Sequence, residues 1–129
     1  MKNLRPYLPA SLFLLALLLF CLWAGGYCAH QADHWQDQVH QADTLAQSGD
    51  WEGAETALQE SYQDWSAHQS ILHILCTHDI MNDAEAMYHR GLAFAQAQEP
   101  SEFQAEMADL QDQLHVLAEW GRFRLHNIL

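Results

Sequence analysis

The sequence predicts an all-α protein, with an N-terminal transmembrane helix followed by a three- or four-helix antiparallel bundle. Three observations carry this reading. An uncharged apolar run, YLPASLFLLALLLFCLWAGGY, spans Tyr7 to Tyr27. Beyond it, apolar residues recur at spacings of three and four through most of the chain, the signature of helices with one buried face. Two short interruptions, Ser48-Gly49-Asp50 and Glu99-Pro100-Ser101, have the chemistry of helix stops and starts.

The apolar run is about 21 residues and rises roughly 31 Å as a helix, close to the ~30 Å hydrocarbon thickness of a bilayer. Pro6 and Pro9 fall in or just before its first turn, where a missing N–H does least harm. Tyr7, Trp23 and Tyr27 lie near its two ends, where amphipathic rings favour the membrane interface. Lys2 and Arg5 precede the run and no Lys or Arg follows until Arg90. Positive residues stay on the cytoplasmic side, so the amino terminus is expected inside and the rest outside the cell membrane, in a single pass. The expected division is a signal anchor or transmembrane helix over 1–28 and an extracytoplasmic acidic helical domain over 29–129. Ala24-Gly25-Gly26 also offers small residues suited to signal cleavage, the competing fate of such a segment. Cys28 as a lipidation site is disfavoured by the bulky Tyr27 before it.

All 17 acids lie in the second part, against Arg90, Arg122 and Arg124, a formal charge of −14 with the histidines neutral. Such a domain has no electrostatic footprint for nucleic acid, and its net charge predicts repulsion from anionic lipid headgroups. Three cysteines make no disulfide framework. Cys21 lies in the apolar run, Cys28 at its outer boundary offers a cross-link between two copies, and Cys76 in a hydrophobic helical stretch reads as an inert core thiol.

His30 to Gln47 carries Trp35, Val39, Ala42 and Ala46 at helical spacing. No Pro or Gly follows Gly26 there, so this helix is read as a continuation of the membrane helix, one rod from membrane to domain. Gly49 suits the C′ position that ends it and Asp50 the N-cap of the next helix. Trp51, Ala54, Leu58, Tyr62 and Trp65 line one face of that second helix, with Glu52 and Glu55 early in it where the dipole favours acids. A third helix is expected over Ala67–Ala97 with a core stripe of Leu72, Cys76, Ile80, Ala84, Met87, Gly91 and Phe94, widened by Ile71, Ile74 and Leu75. The stripe nearly keeps the phase of helix two, so one bent helix from Asp50 to Ala97 is the alternative to a kink at Ser66–Gln69. Pro100 then stops the chain, Ser101 and Gln104 form a capping box, and a last helix runs from Glu102 to about Asn127. Phe103, Met107, Leu110, Leu114 and Leu117 form its seam, extended by Trp120, Phe123 or Arg124, and Ile128.

The turn Gly49-Asp50-Trp51-Glu52-Gly53-Ala54, with Ala57 and Leu58, resembles one tetratricopeptide unit over about 30 residues. The repeat array is missing, so it reads as the general chemistry of a tight helical hairpin. A second resemblance covers almost the whole chain: a short basic start, one membrane helix, Gly49-Asp50-Trp51, Trp65, His78-Asp79, and the ending Leu125-His126-Asn127-Ile128-Leu129. In this order the chain resembles a family of short, single-pass membrane-anchored helical proteins of unknown function from spore-forming anaerobic bacteria. Its members tend to carry a tryptophan after the second helix and a hydrophobic Asn-Ile ending. The resemblance implies a location and no activity; this chain departs from it in being rich in His and Gln and nearly without Lys.

Nine histidines raise the question of metal. His30 and His34 are four apart with Asp37 one turn further, so they share a helix face and are the candidate metal ligands. They sit in a polar stretch, and the expectation is a solvated face with no metal. His68, His73 and His78 are five apart and cannot form one ligand set along a straight helix. Glu85 and His89 make a surface pair, and His78 beside Asp79 reads as a buried histidine bonded across the bundle. No nucleophile elbow, HExxH, phosphate-binding glycine loop or paired-cysteine motif is present. No catalytic residue and no cofactor is therefore expected. The chain reads as a non-enzymatic, membrane-anchored interaction or structural domain of the cell envelope, contacting the lipid bilayer and an envelope protein or a second copy. The alternatives are a His-rich, pH- or metal-responsive ligand-binding domain, and a secreted soluble helical protein after cleavage at Gly26.

Overall fold

The proline pair at the start and the unbroken run of helix formers behind it produce one long helix. The computed structural model describes residues 5–75 and 78–128, with their side chains apart from those of 74, 75, 121 and 123–128. α1 runs from Leu8 to Gln47, 40 residues, about 60 Å. α2 covers Trp51–Ala67, α3 Gln69–Leu75, α4 His78–Gln96 and α5 Pro100–Ile128. No strand occurs among the described residues. α1 is long and apolar enough near its start to cross a membrane.

The two halves of α1 meet different surroundings. Every side chain from Leu8 to Phe20 is exposed, and so is Trp23. From Ala24 onward one face is buried: Ala24, Cys28, Ala32, Trp35, Val39, Ala42 and Ala46, spaced by threes and fours as a packing seam requires. The helix passes through Gly25 and Gly26 without interruption. Cys28 is only 5% exposed. It therefore faces the core, and a cross-link between two copies through it is ruled out while this packing holds.

α5 and α2 both run antiparallel to α1. Phe103 and Gln104 near the start of α5 share a small cavity with Asp43, Ala46 and Gln47 at the end of α1, and further on Arg122 reaches back to Asp33 at 2.7 Å. α2 returns beside α1 with Asp64 accepting from the Trp35 indole N–H at 2.8 Å. α4 packs on α2 and α5, tied by the buried Ser61–Tyr88 hydroxyl pair at 2.8 Å and by Arg90 on the largely buried Glu106 at 2.9 Å. Burial holds the Tyr88 phenol well above its ordinary pKa, against the smaller opposing effect of the Ser61 bond. The core between these helices holds Trp35, Trp65, Tyr88, Phe103, Leu58, Met107, Leu110 and Leu114.

Both predicted turns form, by the same backbone device. At the first, Gly49 N–H bonds Ala46 O and Asp50 N–H bonds Leu45 O, with Gly49 at φ +88. At the second, Gln98 N–H bonds Ala95 O and Glu99 N–H bonds Phe94 O, with Gln98 at φ 53. Each is a Schellman ending, but the second places a side-chain-bearing residue in the left-handed region. Asp50 caps α2 as read, accepting from Gly53 N–H at 2.9 Å. At α5 the capping box does not start the helix. Pro100 is the first helical residue and Ser101 already lies inside, because proline needs no N–H partner at that position.

The expected helix over Ala67–Ala97 is not one helix. α2 extends to Ala67 and ends at His68, whose backbone N–H turns to Trp65 O at 3.1 Å. The Asp64 carbonyl that an α-helix would offer this N–H takes the His68 ring Nδ1 instead, at 2.7 Å. The side chain thus replaces a backbone bond and the helix stops. Residues 76 and 77, including Cys76, lie outside the described residues, as do the side chains of Ile74, Leu75, Phe123, Arg124 and the Leu125–Leu129 ending. Along α4 the buried stripe lies one position away from the expected one. Met81, Ala84, Tyr88, Gly91 and Ala95 are buried, while Ile80, Met87 and Phe94 are only half-buried at its side.

Two consequences are measurable in the full chain in detergent. Nothing crowds a Cβ at Gly49, so Gly49→Ala should cost about 1 kcal/mol through its backbone alone, whereas Gln98→Gly should stabilise by roughly 0.5–1 kcal/mol; urea unfolding reports both. Burial raises the Asp43 pKa above 3.8, opposed by His40 and Gln47. The folded state then holds that proton more tightly than the unfolded chain, so the cost of burying the charge is absent below 3.8 and complete above the raised value. Asp43→Asn should therefore melt higher than the parent at pH 7, with the difference closing as pH falls through that window.

Candidate functional site

The polar groups gather where α1 and α2 pass each other nearest the exposed apolar stretch. Tyr27 and Trp35 occupy buried or half-buried positions on α1, and each carries one polar atom that needs a partner when covered. Asp64 supplies the first: its Oδ2 accepts the Trp35 Nε1–H at 2.8 Å. His68 supplies the second. Its Nδ1 must donate to the Asp64 carbonyl oxygen, which only accepts, so in the neutral ring Nε2 is left to accept the Tyr27 O–H at 2.9 Å. The His68 ring also meets Trp35 edge-on at 5.6 Å and Tyr27 at 5.8 Å, and Trp23 stacks on Tyr27 at 5.4 Å. A chain of rings thus leads from the apolar helix into the core.

The candidate ligands from the sequence lie on the outer side of this network. His30, His34 and Asp37, together with Gln31, Asp33 and Asp64, line an open cleft of about 390 Å³. His30, His34 and Asp37 are all exposed. His34 Nε2 stands 3.9 Å from Asp64 Oδ2, as does His68 Nδ1 from Asp64 Oδ1, too far for hydrogen bonds. Asp33 is taken by Arg122 at 2.7 Å, and the same guanidinium reaches Glu119 at 2.9 Å. These two carboxylates, Asp33 foremost, lift Arg122 above the ordinary arginine pKa. Among the described residues no group of three His, Cys, Asp or Glu side chains is placed to hold a metal ion.

The other histidines scatter. His78 is exposed at the start of α4, not buried across the core. The His73 and His78 rings lie 5.7 Å apart. Glu85 and His89 form the surface pair expected, 3.8 Å apart. A second, shallow cleft of about 310 Å³ on α5 is lined by His115, Val116, Glu119 and Trp120.

Residues 22–128 match the family described as a domain of unknown function (DUF4363). The chain belongs to that family. The DUF4363 span begins at Leu22, two residues before Ala24 where α1 starts to bury a face. It therefore coincides with the packed domain and leaves most of the exposed apolar stretch outside. No curated protein and no solved structure matches the chain.

Sequence reasoning missed Asp64, His68 and Tyr27 as partners. The signal available was the pair of amphipathic rings at Tyr27 and Trp35 on an otherwise apolar face, which announces a need for acceptors without saying where they come from. The arrangement satisfies buried donors and holds two helices in register. Asp64→Leu should cost about 1–3 kcal/mol by leaving the Trp35 N–H buried without a partner. Asp64→Asn, which keeps an acceptor, should cost less, and Trp35→Phe added to Asp64→Leu should recover part of the loss. Unfolding followed by tryptophan fluorescence decides among these.

Proposed function

We propose that the protein is a non-enzymatic, single-pass membrane protein that holds a small antiparallel helical bundle at a fixed height above the cell membrane. There the bundle contacts another envelope protein or a second copy. The observation that carries the reading is the stretch Leu8–Phe20, exposed at every position, which rises as an apolar helix out of a domain whose described large apolar side chains, Val116 apart, are buried or half-buried. Water disfavours such a surface by about 25 cal/mol per Å², and a bilayer removes the penalty. The rod is continuous into the core, so no flexible linker separates anchor from domain. Lys2 and Arg5 on one side, and a strongly acidic domain on the other, support an inside amino terminus. The resemblance to membrane-anchored proteins of spore-forming anaerobes agrees with this location.

Retention of the anchor is supported by the packing. Cleavage after Gly26 would remove Ala24 and Gly25, which are buried against the rest of the domain. The open cleft at His30, His34 and Asp64 and the apolar cleft at Val116 and Trp120 are surfaces on which a protein partner could sit.

The expected result is that the full-length chain stays in the membrane pellet after alkaline carbonate. Its mass should include residues 1–26, and protease added outside intact cells should digest the domain. A soluble full-length chain, or a domain protected from external protease, would overturn the reading.

A further inference from the structure

Three chain segments meet at the end of the bundle farthest from the apolar stretch: the close of α1, the start of α2 and the start of α5. They enclose a cavity of about 60 Å³. Trp51 and Phe103 form part of its wall, edge to face with ring centres 5.5 Å apart, and Ala46 adds to it. The polar share of the lining comes from Asp43, Gln47 and Gln104.

Asp43 is unfavourably placed there. Its Oδ2 accepts from the Gln47 amide at 3.1 Å, while Oδ1 is buried with no hydrogen-bond partner among the described residues. Burial raises its pKa, against the opposing effects of His40 and of the Gln47 bond. A covered carboxylate with an unpaired oxygen calls for a cation. The chain's own arginines are engaged elsewhere. No Lys or Arg lies between Arg5 and Arg90, or between Arg90 and Arg122. Arg90 is paired with Glu106, and Arg122 with Asp33, about 15 Å back along α1 from Asp43. Exposed Asp50, Glu52, Glu99 and Glu102, close in sequence to the lining residues, add negative potential around the cavity.

We propose that this cavity binds a primary alkylammonium group supplied from outside the chain. The volume is that of about two water molecules, at roughly 30 Å³ each in the liquid. It therefore admits an ammonium nitrogen and the carbon that carries it, but not a quaternary ammonium. The charge sits against the Asp43 carboxylate. Gln47 gives its amide nitrogen to Asp43, so its oxygen, with that of Gln104, serves the remaining N–H bonds. The carbon lies against Trp51 and Phe103, aromatic walls that also favour a cation. An anion would meet only like charge. A small free amine and a lysine side chain of a partner protein carry the same group.

The test follows thermal unfolding of the full chain in detergent at neutral pH, with methylammonium chloride against sodium chloride at equal ionic strength. Methylammonium should raise the midpoint in a saturable way, as a ligand that binds only the folded state does. It should also shift the Gln47 and Gln104 side-chain amide resonances. Tetramethylammonium should do neither. Asp43→Asn, expected to melt higher on its own, should bind methylammonium about tenfold more weakly or worse, as for loss of one charged hydrogen-bond acceptor. Nα-acetyl-lysine amide distinguishes the sources. A saturable rise with it as well as with methylammonium assigns the cavity to a partner's lysine, and a rise with methylammonium alone assigns it to a small free amine. No rise above sodium chloride, an equal rise with tetramethylammonium, or unchanged affinity in Asp43→Asn overturns the proposal.

Discussion

α1 has to satisfy two surroundings with one backbone. For its first part it offers apolar side chains in every direction, and for the rest it buries a single face made of small residues and then Trp35 and Val39. The second condition fixes everything downstream. α5 and α2 can lie close to α1 because Ala24, Cys28, Ala32, Ala42 and Ala46 present little bulk, and α4 then closes the core from the far side through Met81, Tyr88 and Gly91. A Cβ at Gly91 would come within 3.0 Å of Leu58 Cδ2 and closer still to Met107 Cε, so that last approach also depends on a missing side chain. Because the helix is continuous, its two conditions are mechanically coupled, and the domain keeps a fixed orientation to the apolar segment.

The buried polar groups contribute register more than energy. Ser61 with Tyr88 sets α2 against α4, Trp35 with Asp64 sets α1 against α2, and Arg90 with Glu106 sets α4 against α5. An apolar seam tolerates sliding by a turn, but these pairs do not, since a slipped helix would leave each of them unpartnered in a dry environment. With so few cations in the domain, Arg90 and Arg122 are both spent on contacts between helices. The Arg122 pairs, exposed on both sides, are weak individually.

Much of the fold was legible because it is local. The apolar run, the Gly49-Asp50 stop and start, the proline at the last turn, and the α1 and α5 seams each follow from short-range spacing and backbone chemistry. The third helix was not legible. Its stripe was phased through positions 67–97 as though unbroken, so Ile80, Met87 and Phe94 were placed in the core that Met81, Tyr88 and Ala95 occupy. The chain does break at His68, within the expected kink at Ser66–Gln69, where the ring takes a backbone carbonyl; Leu72 just after it is buried as read, and the change of phase lies between Leu72 and Met81. The candidate ligands His30, His34 and Asp37 line one cleft. Their surroundings came from another helix: Asp64 completes the cleft, and Arg122 of α5 reaches Asp33.

By itself, then, the sequence determined helical class, the apolar segment, the turns and the total charge, all properties of residues within a few positions of one another or of composition. Only the tertiary structure decided which polar atoms meet, and that Cys28 faces inward and His78 outward. Those outcomes depend on helix pairing and register, which arise when four faces must be buried at once, and no single stretch carries that condition.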